Sequence, residues 1–146
     1  MPNPRQAPAE IYLGFDYGWR RLGIAVGQRL TGSAQPLTTL PCQKGQPEWE
    51  ALLALIETWQ PAALVVGIPY HADGSASTTT LQATAFARHL ERCCGLCVHQ
   101  VDECLSSHEA RRRLHAAGQT VQGTTGKARV DRLAAQIILE TWLRAY

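Results

Sequence analysis

The chain has 146 residues, 45% of them apolar and 18% charged, with a formal net charge of +2. That length fits one domain with a single core, and the balance excludes bulk disorder. So small a charge permits a polyanionic partner without demanding one, and where the cations fall matters more than their sum.

No apolar stretch reaches the ~18 residues of a membrane span. The opening Met1-Pro-Asn-Pro-Arg-Gln-Ala-Pro lacks the apolar core of a secretory signal. Residues 1–10 are therefore expected to be a disordered lead-in to one domain over 11–146. Five cysteines without an export signal fit free thiols in a reducing, cytoplasmic setting.

Residues 11–17 and 22–29 read as strands joined by the short link Gly18-Trp-Arg-Arg-Leu, hence as a hairpin. A third strand is expected over 34–40, with Pro36 needing a place at the sheet edge. Pro47 suits the first turn of a helix whose Leu52, Leu53, Ile56 and Trp59 share one face, and Pro61 ends it. Residues 62–67 form the continuous apolar run of a buried parallel strand. A polar loop from Pro69 leads to a helix over 77–94, stopped by Gly95.

Residues 97–101 give a fifth strand, and a helix over 107–117 ends at Gly118. The Gly- and Thr-rich stretch Gln119–Lys127 is expected to be a loop, mobile around Gly123–Gly126 and closing on nucleic acid. The last helix carries Val130, Leu133, Ala134, Ile137, Ile138 and Thr141 at steps of three and four. This order, βββαβαβαα, implies a single α/β domain with a five-stranded mixed sheet flanked by helices.

Three carboxylates stand where the chain changes structure: Asp16 near the end of the first strand, Glu103 after the fifth, and Asp131 at the expected start of the last helix. Each has an ordinary reading alone, Asp16 as a turn residue beside Gly18 and Asp131 as a complement to the helix dipole. Together they can converge on one point, where their repulsion calls for a divalent cation. Oxygen-only ligands suit Mg²⁺ or Mn²⁺, and such ions can clamp an in-line phosphodiester displacement. Asp102 and Glu103 should point to opposite sides of an extended backbone, so one of them faces that point.

Arg20, Arg21, Lys127 and Arg129 flank two of these positions and are candidates for sequence-blind phosphate contacts. Arg111–Arg113 read as a solvated helix face. Trp19 beside Asp16 can stack on an unpaired base if exposed, or pack over the sheet. Cys93, Cys94 and Cys97 lack the paired ligands of a zinc site and read as buried thiols.

Six segments in order give a specific resemblance over about residues 11–144. They are Leu13-Gly-Phe-Asp-Tyr-Gly, Arg21-Leu-Gly-Ile-Ala-Val-Gly, Val65-Val-Gly-Ile-Pro, Asp73-Gly74, Val101-Asp-Glu-Cys-Leu-Ser-Ser-His-Glu-Ala and Val130-Asp-Arg-Leu-Ala-Ala-Gln-Ile-Ile-Leu. The chain resembles the YqgF/RuvX family, which has an RNase H-like fold and is described as Holliday-junction-resolvase-like. The resemblance implies metal-binding catalytic roles for Asp16, Glu103 and Asp131, and favours Glu103 over Asp102.

It further implies a nuclease acting on structured nucleic acid, with two family substrates: the 5′ end of pre-16S rRNA, tied to ribosome biogenesis, and the four-way DNA junction. A ribosome contact and a monomer or weak homodimer fit the first. Cys104 stands where the family usually has arginine, which would remove a phosphate contact, and His71 stands where it usually has asparagine. A non-catalytic RNA- or ribosome-binding protein is the alternative that these departures leave open. The opening strands also resemble those of actin-like ATPases, but 146 residues cannot supply the second domain that those need.

Overall fold

The computed structural model describes residues 10–103 and 106–145, so most of the expected lead-in and Cys104 lie outside the described residues. The elements are β1 (Ile11–Tyr17), β2 (Arg21–Gln28), β3 (Ser33–Gln43), β4 (Gln46–Pro47), α1 (Trp49–Trp59), β5 (Ala63–Ile68), α2 (Thr78–Cys94), β6 (Val98–Asp102), α3 (Ser106–Ala116) and α4 (Gly123–Ala145). They form one α/β domain around a mixed sheet ordered β4-β3-β2-β1-β5-β6. The first four strands run antiparallel as a meander, while β1, β5 and β6 are parallel. Among the described residues no helix is long and apolar enough to cross a membrane.

The sheet has six strands rather than the five expected. The addition is β4, which folds back on β3 through Lys44 and Gly45, both at positive φ (52° and 78°). Such a two-residue turn matches the twist of a hairpin. Lysine in place of the usual Asn or Asp hides it in the sequence. Pro47 consequently belongs to β4, and α1 begins at Trp49. Pro36 lies beside a register shift in the pairing of β3 with β2, a place in a sheet where proline is tolerated.

Strand alternation divides the interior. Leu13, Phe15, Leu22, Ile24, Leu64, Val66 and Ile68 face α1 and α2 and are all but inaccessible. There Phe86 of α2 stacks on Tyr17 at 5.0 Å and lies 5.7 Å from Trp49. A reciprocal capping box between Ser77 and Thr80 starts α2, and Gly95 in the left-handed region ends it. The opposite face, Tyr12, Ala25, Ala63 and Val65, receives Ala135, Ile138 and Leu139 of α4.

That second face is lined with glycine, and α4 lies close on it. A Cβ at Gly14 would come within 2.7 Å of the Leu139 Cβ, and one at Gly27 within 2.9 Å of Leu139 and Leu143 side-chain atoms. At Gly23 a Cβ would land on the Asp131 backbone carbonyl. Thr39 of β3 also donates to the Ala128 carbonyl at 2.7 Å, pinning the start of the helix over the sheet.

Helix α4 begins at Gly123, so the expected loop over 119–127 is confined to its first few residues and the Gly/Thr run forms the first turn of the helix. Thr-Thr-Gly is poor helix material. The turn is held by packing instead, with Gly126 buried directly against the Val121 backbone. Asp131 accordingly sits about two turns inside α4 rather than at its start, and its explanation as a helix-dipole complement falls away.

Candidate nuclease site

Asp16 points to the glycine face, because Phe15 and Tyr17 on either side of it enter the opposite core. Its partners across the ladder are both glycines, Gly23 on β2 and Gly67 on β5. The space those missing side chains would take is filled by the Asp131 backbone at Gly23 and by Ile138 and Glu103 side-chain atoms at Gly67, and the carboxylate is only 8% exposed. Glu103 follows β6 and continues the parity of Val101, which packs on this face. Its N–H donates to the Ile68 carbonyl at 2.9 Å. A Cβ on Gly67 would sit 3.1 Å from the Glu103 Cβ. Asp102 is exposed, as expected of the alternate residue on a strand.

Asp131 completes the group from above. The close passage of α4 over Gly23 brings its third turn down to the end of β1 and the start of β2. Sheet and helix thus bring together all three carboxylates selected from the sequence, and burial, followed by the charges of Glu103 and Asp131, raises the Asp16 pKa well above the usual carboxylate value. Burial also raises Asp131, against the opposing hydrogen bond and charge of Arg21.

Arg21 Nε donates to Asp131 Oδ2 at 2.5 Å. Among the described residues no three acidic, histidine or cysteine groups stand close enough to form a cage around one ion. The donor chemistry nevertheless fits a hard divalent cation: oxygen ligands only, one of them with its pKa raised first by burial and then by its neighbours' charge. Asp131 would have to turn from Arg21 to join such a site.

The cations separate into two groups. Arg21, Lys127 and Arg111 line a cleft of about 100 Å³ with Asp131, Val121 and Val130. Arg20 and Arg129 do not line it; Arg20 is exposed in the hairpin and Arg129 half-buried. Arg111 is the residue that sequence reasoning missed. Arg112 and Arg113 do form a solvated face, both bound to Glu109 at 2.7 and 3.0 Å. Arg111, between them and the buried Ala110, turns instead toward the acids. The signal lay in the stripe Ala110 and Leu114, which packs on Val130 and Ala134 of α4.

Trp19 is half-exposed, its ring lying against Gly45 in the β3–β4 turn. His71 is exposed in a loop that Asp73 closes by accepting from the Ser75 N–H at 2.9 Å. Cys93 and Cys97 are exposed and Cys94 half-exposed, contrary to the expectation of buried thiols. The buried face of α2 is already filled by Ala83, Phe86, Ala87 and Leu90, which leaves Cys93 in solvent and Cys94 only at the margin of the core.

A family profile described as RuvX, Holliday junction resolvase, matches residues 10–145. The chain belongs to the RuvX family. Two RuvX-like relatives are each 47% identical to it and each named "Putative pre-16S rRNA nuclease". The one from Legionella pneumophila (strain Lens) aligns over 94% of this chain and 97% of its own, and the one from Coxiella burnetii (strain Dugway 5J108-111) over 99% and 96%.

Among solved structures, Thermus thermophilus RuvC in complex with a Holliday junction substrate superposes with a TM-score of 0.54 at 16% identity, covering 93% of this chain and 94% of that one. The fowlpox virus Holliday junction resolvase gives 0.51 at 12%, covering 93% and 99%. At such identities these two speak to the fold, the RNase H-like arrangement of resolvases. Membership of RuvX places the chain in a family of nucleases, hydrolases of phosphodiester bonds.

Proposed function

We propose that this protein is a metal-dependent nuclease that processes the 5′ end of pre-16S rRNA during ribosome biogenesis, with Asp16, Glu103 and Asp131 as its catalytic, metal-holding residues. One observation carries the reading: Asp16 is buried opposite Gly23 and Gly67, and the close approach of Asp131 and Glu103 over those glycines brings two further carboxylates near enough for their charges to act on it. Gathering acids around a buried carboxyl does not serve stability, since like charges brought together at a buried site are costly. A cation turns that cost into binding energy.

Asp16 and Glu103 are presented by rigid strand ends and would hold Mg²⁺ or Mn²⁺, with Asp131 joining as Arg21 releases it. The chemistry such an ion supplies is polarisation of the phosphoryl group and a lowered pKa for the attacking water. Arg21, once released, is placed to meet substrate phosphate, as is Lys127, while Arg20 and Arg129 extend the basic rim. The setting is cytoplasmic, with the ribosome or its precursor as partner and a monomer or weak homodimer as the working form. The names of the Legionella and Coxiella relatives support the RNA substrate.

Cleavage of four-way DNA junctions is the second reading, favoured by the description of the family profile. Wild type and Asp16→Asn would be incubated with end-labelled rRNA precursor and with a junction, in Mg²⁺, Mn²⁺ or chelator. Metal-dependent RNA cleavage lost in Asp16→Asn is the expected outcome. Cleavage of the junction alone would replace the RNA reading. Binding without cleavage of either would make the protein a binder that kept the fold.

A further inference from the structure

The 100 Å³ cleft beside Asp131 has a composition that the acidic cluster does not explain. Its charged lining is three cations, Arg21, Arg111 and Lys127, against the single carboxylate of Asp131. The cations come from three separate elements, β2, α3 and α4, so no one helix face accounts for their meeting. The volume is well above the roughly 10–15 Å³ that one water needs. Val121 and Val130 supply apolar walls, which strengthen the interaction of the cations with any anion that enters.

We propose that Arg111, with Arg21 and Lys127, forms a phosphate subsite beside Asp131 that takes a backbone phosphate of the RNA strand next to the scissile bond. The inference rests on the nuclease reading above and extends it to a residue that the motifs did not single out. Arg111 is the member best placed to fix the strand. Its helix is anchored on α4 by Ala110, Leu114, Val130 and Ala134, so its guanidinium starts from a rigid base. Its side chain is exposed to incoming ligand, unlike Arg21, which is bound to Asp131.

Its charge also reaches the acids, lowering both the Asp16 and Asp131 carboxyls from where burial would leave them. A planar guanidinium with two parallel donors suits a phosphate. The subsite gives the strand a register, holding one phosphate while the carboxylates act on its neighbour.

The test measures binding of the rRNA precursor in chelator, where no cleavage occurs, across a salt series for wild type, Arg111→Ala, Arg111→Lys and Arg112→Ala. Losing one phosphate contact should weaken Arg111→Ala and flatten its slope of log affinity against log salt by about 0.7–0.9. Arg112→Ala should match wild type, and Arg111→Lys should keep the slope while losing the fork geometry and some affinity. Thermal melts show that each variant is folded. In Mg²⁺, Arg111→Ala should raise KM more than it lowers kcat.

An Arg111→Ala slope and affinity equal to those of Arg112→Ala would overturn the subsite, as would absence of RNA binding by wild type at low salt. Loss of the nuclease reading has a different signature: wild type binds with the expected slope change at Arg111 but cleaves nothing in either metal.

Discussion

The two faces of the sheet are built on opposite rules. Toward α1 and α2 the strands present Leu, Ile, Val and Phe, and the helices meet them through side chains of full size. Toward α4 they present Gly14, Gly23, Gly27 and Gly67, and the helix backbone comes down almost onto the sheet. The first face buries large apolar surface and is the greater source of stability. The second gives up that surface and gains closeness, which lets a residue two turns into a helix reach a residue in the middle of the sheet. The three carboxylates sit on the face that packs backbone to backbone. Strand parity keeps the two apart: a slip of one residue in β1 would send Asp16 into the Phe86 core.

The hardest test of this division is a change that should raise stability while removing function. Asp16→Asn removes a buried carboxyl group pressed by Glu103 and Asp131. Cleavage should fall by roughly a hundredfold or more, while the melting temperature in chelator stays level or rises, as for other strained active sites. A fall in melting temperature would mean that the carboxylate is structural, and the two faces would no longer differ as described.

Gly23→Ala probes the closeness itself. The added methyl meets the backbone of Asp131, which cannot rotate away, so α4 must shift. Overpacking of this kind costs about 1–3 kcal/mol, and a displacement near 1 Å at a reacting group can cost about a hundredfold in rate. Both losses should appear together in denaturation and cleavage assays. Unchanged activity would show that the position of Asp131 tolerates the shift.

Leu64→Ala is the counterpart on the other face, where the side chain is fully buried. A loss of about 2–5 kcal/mol is expected, or roughly 5–15 °C in melting temperature for a chain of this size. Cleavage per folded molecule, assayed well below the melting point, should hold within about twofold, a change of under ~0.5 kcal/mol in barrier. A large loss of activity would make the α1–α2 face part of the catalytic machinery.

Much of this arrangement was legible in the sequence because it follows from periodicity. The runs at 11–17, 22–29 and 62–67, the Ser77 start and the Gly95 stop all obey local rules, and the structure places elements there within a residue or so. The three acids were singled out by their positions at element ends, and two of those ends were read correctly. Asp131 was chosen for the wrong local reason, since the Gly/Thr run before it is helical only through the contact of Gly126 with Val121, which no window of sequence contains. Strand β4 escaped because Lys44 takes a left-handed conformation usually left to Asn or Gly. Arg111 escaped because a basic triplet looks uniform until α3 is docked on α4, when one of the three turns inward.

The smallest expected effect concerns Cys42, which stands between the two regimes. It packs at the margin of the large apolar core on β3, yet Asp131 on the other side of the sheet is near enough to act on it. Burial, and then the charge of Asp131, push its thiol up from 9.0 to about 11, with Arg21 opposing. The folded chain therefore keeps the Cys42 proton where the unfolded chain has released it. Its contribution to stability is complete below pH 9.0 and is lost as pH rises through about 11. Because the thiolate is the reactive form, Cys42 should alkylate more slowly than the exposed Cys93 and Cys97 at pH 8, resolved by peptide mapping. Asp131→Asn removes the charge that raises this pKa and should speed Cys42 alone. Equal acceleration at Cys93 and Cys97 would point to loosening of the whole fold, whereas a change confined to Cys42 would show the charge of Asp131 acting through the sheet from the glycine side to the core side.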